Sequence, residues 1–168
     1  MNYIKKFESF QTHDEIHEIC RKYNITNYTI NEDGSIDVND DVYLSFKGIK
    51  KIPLRFNKVS GNFDCAYNRL TTLEGAPQSV GSFDCSNNKK LKSLDYLSKY
   101  IHNEEVYFDN TPVYEIFELL DNESLGMIRN VNDLDVIVDD KINLEMLNAL
   151  LYDEGKPPVE KVKGYINI

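Results

Sequence analysis

The sequence predicts an α/β fold in which a short solenoid of about four coils, each of 21–22 residues, is closed by helical caps at both ends. Two observations support this prediction. The chain repeats itself, because VSGNFDCAYNRLTTLEGAPQS from Val59 is followed by VGSFDCSNNKKLKSLDYLSK from Val80. A self-match at a period of about 20 to 30 residues is typical of stacked repeats. Apolar residues at helical spacing lie before and after these repeats.

The first predicted element is a helix over residues 12–23. Thr12-His-Asp-Glu15 matches a capping box, in which the hydroxyl and the carboxylate satisfy the free amides of the first turn. Four apolar residues follow on one stripe: Ile16, Ile19, Cys20 and Tyr23. For residues 1–10, in which Ile4, Phe7 and Phe10 recur every third position, one or two helical turns and a tethered arm both stay open.

The next predicted element is a β-hairpin in Tyr28–Val38, YTINEDGSIDV. Apolar and polar residues alternate on both sides of Asp33-Gly34, and alternation around an Asp-Gly turn is a strong hairpin signal. Residues 1–37 are therefore assigned to an N-terminal cap made of this helix and this hairpin.

Residues 38–118 are assigned to the solenoid, with coils at 38–58, 59–79, 80–100 and 101–118. Phe63, Cys65 and Asn68 recur twenty residues later as Phe83, Cys85 and Asn88. The pattern F-x-C-x-x-N-x-L-x-x-L is that of a leucine-rich repeat with aromatic and cysteine substitutions. We expect the Phe and Cys side chains to alternate inward from a short strand and the Asn to turn the chain by bonding neighbouring backbone.

Residues 119–168 are assigned to a C-terminal helical cap that forms one structural unit with the rest. The apolar pattern of residues 113–120 predicts a helix that closes the array, and residues 123–130 are predicted to add one or two helical turns. Residues 134–138 are β-like, and 143–155 predict a helix ended by Gly155 and Pro157-Pro158. The last ten residues alternate weakly and predict an edge strand.

Several of these segments resemble a known group of proteins. YTINEDGSIDV (28–38), FDCAYNRLTTLEGAP (63–77), FDCSNNKKLKSL (83–94) and GKPPVEKVKGY (155–165) are similar to the short leucine-rich-repeat-like proteins of large tailed bacteriophages. In that group, units of the type F-x-C-x-x-N-x-L-T-S-L-E-G-A-P recur a variable number of times, but this chain keeps one good copy. The resemblance implies a fold and a phage origin more than an activity.

Composition narrows the cellular setting. No apolar run approaches the roughly 20 residues that a bilayer span needs, and the first ten residues lack a signal-peptide core. Three cysteines, two of them at equivalent repeat positions, indicate reduced thiols. With the phage resemblance, these features predict the cytoplasm of the infected bacterial host.

The net charge of −9 argues against a nucleic-acid partner unless a basic patch is segregated. The nearest candidate is the set Lys47, Lys50, Lys51, Arg55 and Lys58. A solvated outer edge of the repeats is the leading interpretation of this set. Nucleic-acid binding is the lesser alternative.

The candidate site is the outward face of the repeat strands. If Phe63 and Cys65 point inward, their neighbours point outward. The same rule applied to each coil gives the predicted partner-binding residues: Asp41, Tyr43, Asn62, Asp64, Ser82, Asp84, Ser86, Glu105, Tyr107 and Asp109. This face carries five carboxylates and no basic residue. Three interpretations stay open: a basic protein partner, a solubilising surface without a ligand, and cation binding, although no D-x-D-x-D-G calcium loop is present.

We find no pattern typical of an enzyme, a metal site or a cofactor site. Cys65 and Cys85 are predicted to be buried thiols that pack as small apolar groups. His13 and His17 are four residues apart, but HDEIH is not the zincin order H-E-x-x-H. Gly48, Gly61, Gly75 and Gly81 fall at predicted repeat turns, where a positive φ would explain them.

The sequence therefore predicts a non-catalytic protein–protein interaction module without cofactor. The leading hypothesis is a phage accessory protein that binds or inhibits a host or anti-phage-defence protein through the acidic face. The alternative is a virion or assembly component, for which the first ten residues would serve as a tether.

Overall fold

A computed structural model of the protein describes residues 11–168, so the predictions for residues 1–10 lie outside the described residues. Within this range the chain forms four helices: α1 (His13–Lys22), α2 (Tyr114–Leu120), α3 (Leu125–Asp133) and α4 (Leu144–Asp153). It also forms twelve short strands: β1 (Tyr28–Ile30), β2 (Ile36–Val38), β3 (Val42–Tyr43), β4 (Phe56–Val59), β5 (Phe63–Asp64), β6 (Ser79–Val80), β7 (Phe83–Asp84), β8 (Tyr100–Ile101), β9 (Val106–Tyr107), β10 (Ile137–Val138), β11 (Lys141–Ile142) and β12 (Ile166–Asn167).

The predictions for the first described elements are confirmed. Thr12 is the N-cap of α1, and both hydrogen bonds of the capping box to Glu15 are present. β1 and β2 pair in antiparallel register across the Asp33-Gly34 turn. The helix lies against this hairpin, because His17 Nδ1 is 2.6 Å from the Tyr28 hydroxyl.

The repeats form two parallel ladders rather than one. Sheet A has the strand order β1-β2-β4-β6-β8, and sheet B has the order β3-β5-β7-β9. Successive repeats supply neighbouring strands to each sheet, so Phe63 pairs with Val42 on one side and with Phe83 on the other. Each repeat thus contributes one strand to sheet A and, a few residues later, one strand to sheet B.

The predicted leucine-rich-repeat-like solenoid with helical caps at both ends is therefore wrong. A leucine-rich repeat gives one strand to one continuous sheet and returns through a helix or 3₁₀ turn. Here the described chain is α/β with four helices and three separate sheets. The chain bends between Val59 and Phe63, which ends β4 and starts β5 in a different sheet.

The C-terminal region is not purely helical either. β10 and β11 pair antiparallel, and β12 returns to pair in parallel with β11, which makes a third sheet, sheet C. The predicted terminal edge strand is confirmed in its last residues as β12, and the predicted helix over 143–155 is confirmed as α4 with Asn143 as its N-cap. The Tyr165 hydroxyl donates to the Lys92 carbonyl and ties this region to the third repeat.

Aromatic side chains fill the centre of the repeat core. The Phe63 and Phe83 rings stack with centroids 5.4 Å apart, and the Phe56 ring meets the Phe63 ring edge-on at 5.0 Å. All three side chains are buried, as are Cys65 and Cys85. The inward direction predicted from the alternation is thus confirmed.

Two buried asparagines connect the repeats. The Asn88 side chain is 0% exposed, and its Nδ2 donates to the carbonyls of Cys65 (3.1 Å) and Cys85 (2.9 Å). Its Oδ1 accepts from the Leu70 amide at 2.9 Å. Asn68 does the same one repeat earlier, where it accepts from the Lys47 and Ile49 amides. These bonds satisfy buried backbone groups that the short strands leave unpaired.

The glycines have two different roles. Gly48 and Gly75 have positive φ angles of 67° and 95°, as predicted. Gly61 and Gly81 are not left-handed, so that part of the prediction is wrong. They allow close approach instead, because a Cβ on Gly81 would lie 2.7 Å from the Gly61 carbonyl oxygen.

Asn88→Ala should lower the free energy of unfolding by about 3 kcal/mol, because four backbone groups would lose a hydrogen bond to this buried side chain. The measurement is urea unfolding followed by circular dichroism. Asn130→Ala is the matched control, since Asn130 is exposed on α3 and its replacement should change stability by about 0.5 kcal/mol or less. Equal stability losses in the two variants would contradict the role assigned to Asn88.

Candidate functional site

The outward side chains of sheet B form a continuous row across the four repeats. Because Phe63 pairs with Phe83 inside the core, Asp64 pairs with Asp84 outside it. Tyr43 stands beside Asp64, and Tyr107 stands beside Asp84. Neighbouring strands are about 5 Å apart, so the row Tyr43–Asp64–Asp84–Tyr107 spans about 15 Å.

We define the sheet B face as this row together with the predicted residues on either side of it. Those residues are Asp41, Asn62, Ser82 and Glu105 before the strands, and Ser86 and Asp109 after them. The structure thus places four of the ten predicted site residues in the strands of sheet B and the other six within two residues of those strands. Their alignment follows from the parallel register of sheet B, which is kept although successive repeats differ in length by up to three residues.

Exposure divides these ten residues into three groups. Tyr43 and Tyr107 are 57% and 48% exposed, although tyrosine rings are usually half-buried or more. Asp41, Asp64 and Asp84 are half-buried, whereas Asn62, Glu105 and Asp109 are exposed. Ser82 and Ser86 are only 8% exposed, so the prediction that they offer surface to a partner is not supported by their burial.

The half-buried carboxylates are held in fixed orientations. Asp64 Oδ1 accepts from the Ala66 amide at 3.0 Å, and Asp84 Oδ1 accepts from the Ser86 amide at 2.9 Å. These equivalent bonds give the two side chains the same rotation on neighbouring strands. The aspartates therefore shape the turn after each strand in addition to carrying charge.

Ser82 positions a third carboxylate on the face. Its hydroxyl donates to Glu105 Oε2 at 3.0 Å and accepts from Asn103 Nδ2 at 3.1 Å. The serine therefore orients Glu105 instead of meeting a partner.

Asp41 is the most strongly hydrogen-bonded acid of the face. Its Oδ1 accepts from the Asn62 amide at 2.7 Å and its Oδ2 from the Tyr43 hydroxyl at 2.8 Å. These bonds hold the pKa of the Asp41 carboxyl below its usual value, and the bond from the Asn62 amide has the larger effect. The hydrogen bond between Tyr43 and Asp41, together with the charges of Asp41, Asp64 and Asp40, raises the pKa of the Tyr43 hydroxyl.

The carboxylates of the face form no ion pair within 4 Å among the described residues. Across residues 11–168, ion pairs within 4 Å join Arg55 to Asp33 and Lys156 to Asp121, and none involves the sheet B face. Carboxylates on neighbouring strands repel one another, so their alignment costs stability. A basic partner would relieve that repulsion.

The sequence prediction missed part of the surface. Asp40, which directly precedes Asp41 in the chain, adds its charge to those that raise the pKa of Tyr43. Phe46 and Tyr67 follow the strands β3 and β5, and both are exposed. Their alignment with Asn87, a residue type that tolerates positive φ, was the available signal.

The cysteines and histidines do not form a reactive constellation. Burial raises the pKa of the Cys65 and Cys85 thiols, and it also raises that of Cys20. His17 contacts Tyr28, and His102 Nε2 lies 2.8 Å from the Ser79 hydroxyl on sheet A. No group of three or more His, Cys, Asp or Glu side chains among the described residues is arranged to hold a metal ion.

Two cavities lie away from the sheet B face. One, of about 320 Å³, is lined by Lys89, Asn110, Thr111, Pro112, Glu115 and Lys163. The other, of about 540 Å³, lies between α2 and the segment 161–163. Neither of these two cavities is lined by a residue of the sheet B face.

No protein-family model, curated protein or solved structure matches this chain. Among residues 11–168, no helix combines the length and apolar character that crossing a membrane requires. The geometry of the described residues is therefore the basis for any functional conclusion.

The Asp41 hydrogen bonds predict a pH-dependent contribution to stability. A carboxyl whose pKa is lower in the folded than in the unfolded chain stabilises the fold above its unfolded pKa, about 3.9, and loses this effect as the pH falls through the folded pKa. Asp41→Asn should therefore be less stable than the wild type at neutral pH, and the difference should shrink towards pH of about 2. Urea unfolding at several pH values measures this, and a difference that stays constant with pH would contradict it.

The buried thiols predict low chemical reactivity. The native protein should not react with DTNB at mildly alkaline pH, because burial blocks access and the raised pKa keeps the thiols protonated. The unfolded protein should react at all three cysteines. Rapid modification of the native protein would show that at least one thiol is accessible.

Proposed function

We propose that this chain is a non-catalytic interaction module that binds a protein with a basic surface through the sheet B face. The observation that carries the proposal is the aligned row Tyr43–Asp64–Asp84–Tyr107, whose carboxylates have no cation within 4 Å among the described residues. A rigid row of like charge is costly in the free protein and favourable against a cationic partner.

The two tyrosines suit such an interface. Exposed Tyr43 and Tyr107 flank the aspartates at the two ends of the row. Tyrosine is enriched among the residues that carry binding energy, and its ring face can also pack on an arginine or lysine of the partner. The face thus combines two aromatic anchors with a charged centre.

The backbone also favours recognition by a preformed surface. Asp64 and Asp84 are fixed by equivalent hydrogen bonds to the following turns, and Glu105 is held by Ser82. A partner would therefore meet side chains that have little rotamer freedom left to lose on binding. This arrangement suits a specific partner better than a merely solubilising surface.

The resemblance to leucine-rich-repeat-like phage proteins suggests the setting of this interaction. In that setting the proposed partner is a host or anti-phage-defence protein, and binding takes place inside an infected bacterium. The charge of the sheet B face supports a basic partner. The phage setting is supported by the resemblance alone.

Removing three charges from the face should abolish partner capture. The variant Asp64→Asn, Asp84→Asn, Glu105→Gln keeps the hydrogen-bond acceptors and removes the charges. Tagged wild-type protein should recover a basic protein from the cells in which the chain is made, at low salt and less at high salt, because screening weakens the contact. The variant should lose that protein.

Asp133→Asn, Asp153→Asn, Glu160→Gln is the matched control, since it makes the same change in net charge at exposed positions outside sheet B. It should recover the partner as the wild type does. Equal recovery by the sheet B variant would refute the proposed face, and equal loss in both variants would show that only net charge matters.

A further inference from the structure

A second charged surface lies where the chain leaves sheet B. The segments 46–52, 67–73 and 87–94 follow β3, β5 and β7, and together they contain seven Lys or Arg residues and no Asp or Glu. Six of these cations are exposed, and we call them the basic edge: Lys47, Lys50, Lys51, Arg69, Lys89 and Lys90. The seventh, Lys92, lies over the Tyr165 ring at 5.7 Å.

Backbone contacts place these segments side by side. The Arg69 amide donates to the Ile49 carbonyl at 2.9 Å, and the Lys47 and Leu70 amides donate to the side chains of Asn68 and Asn88. The basic edge therefore stands on the same asparagine-linked framework as the repeat core. No residue of the basic edge lies within 4 Å of a carboxylate in the part of the chain that the structure describes.

Two exposed aromatic rings begin these segments. Phe46 is 73% exposed and Tyr67 is 52% exposed, and their rings stack with centroids 4.4 Å apart and planes 12° from parallel. The equivalent residues of the next two repeats are Asn87 and Asn110. The aromatic pair is thus a feature of two repeats only.

The aromatic pair is unfavourable for folding in two respects. Phe46 and Tyr67 have φ angles of 58° and 53°, in the left-handed region that asparagine tolerates and bulky residues rarely adopt. Burial does not compensate, since both rings are open to water. Strained, exposed side chains of this kind are typical of functional positions.

We propose that the basic edge and the Phe46–Tyr67 pair form a binding site for single-stranded nucleic acid. Lysine and arginine side chains contact phosphates, while exposed aromatic rings stack on unpaired bases of any sequence. An acidic peptide would use the cations but gain little from the rings. A duplex keeps its base faces stacked inside, so the ring pair favours a single strand.

The net charge of −9 does not oppose this site, because the charge is segregated. The carboxylates of Asp64 and Asp84 belong to the sheet B face, and the basic edge begins only after the turns that follow. These carboxylates would repel the phosphates of a bound nucleic acid. The repulsion would confine the nucleic acid to the basic edge, which is long enough for a few nucleotides. The proposal does not rest on the proposed protein partner of the sheet B face.

Fluorescence anisotropy with a labelled single-stranded oligothymidine of about twelve nucleotides tests this site on the full chain. We expect binding that weakens as salt rises, and weaker binding of the corresponding duplex. Phe46→Asn, Tyr67→Asn should reduce affinity at least about tenfold, because the stacking surface is lost. Asparagine suits the left-handed backbone, so this variant should fold at least as stably as the wild type.

A charge variant and its control complete the experiment. The triple variant Lys50→Gln, Arg69→Gln, Lys89→Gln should bind more weakly. It should also lower the slope of log affinity against log salt concentration by about two, because each lost phosphate contact contributes roughly 0.7. Lys58→Gln, Lys99→Gln, Lys141→Gln makes the same charge change at exposed positions elsewhere and should bind like the wild type.

Three results would overturn the proposal. The first is a wild type that does not bind the oligonucleotide even at low salt, and the second is an Asn variant that binds as tightly as the wild type. In the third, polyglutamate would bind as tightly as the oligonucleotide and equally to the wild type and the Asn variant, which would assign the edge to an acidic protein segment.

Discussion

The fold depends on hydrogen bonds between successive repeats, because the strands are too short to stand alone. Most strands of sheets A and B have only two or three residues, so nearly every backbone partner lies in the neighbouring repeat. Asn68 and Asn88 extend this pairing past the strand ends, where no regular ladder continues. Together with the stacked Phe63 and Phe83 rings, they set the register on which every surface feature depends.

That register places like residues in rows, and this creates two surfaces of opposite charge. Asp64 and Asp84 repeat on sheet B for the same reason that Phe63 and Phe83 repeat in the core. Arg69 and Lys89 repeat at the turns beyond. Aligned like charges are a cost that the folded chain carries in the absence of a ligand. Two such rows side by side are therefore the main physical argument for binding functions on this part of the molecule.

The sequence was sufficient where a local rule decides the structure. The Thr12–Glu15 capping box, the Asp33-Gly34 hairpin and the inward direction of Cys65 and Cys85 follow from neighbouring residues, and all are confirmed. The division of each repeat between two sheets was not predictable in this way, since it depends on a bend near Gly61 that requires close approach of two backbones. The solenoid prediction failed at that bend.

The candidate site shows the same limit. Alternation predicts which side of a strand a residue faces, and it placed Asp64 and Asp84 on one face. It does not predict how deeply a side chain is buried, so Ser82 and Ser86 were expected to be exposed and are only 8% exposed. Phe46 and Tyr67 escaped notice because their backbone conformation, not their residue type, makes them unusual.

The central claim, that the sheet B face is the partner-binding surface, is tested most directly by zero-length carbodiimide cross-linking in the cells that make the chain, followed by peptide mass spectrometry. The account predicts cross-links from Asp64, Asp84 or Glu105 to lysines of one partner protein. Cross-links confined to acids outside sheet B, such as Asp133 and Asp153, would contradict it.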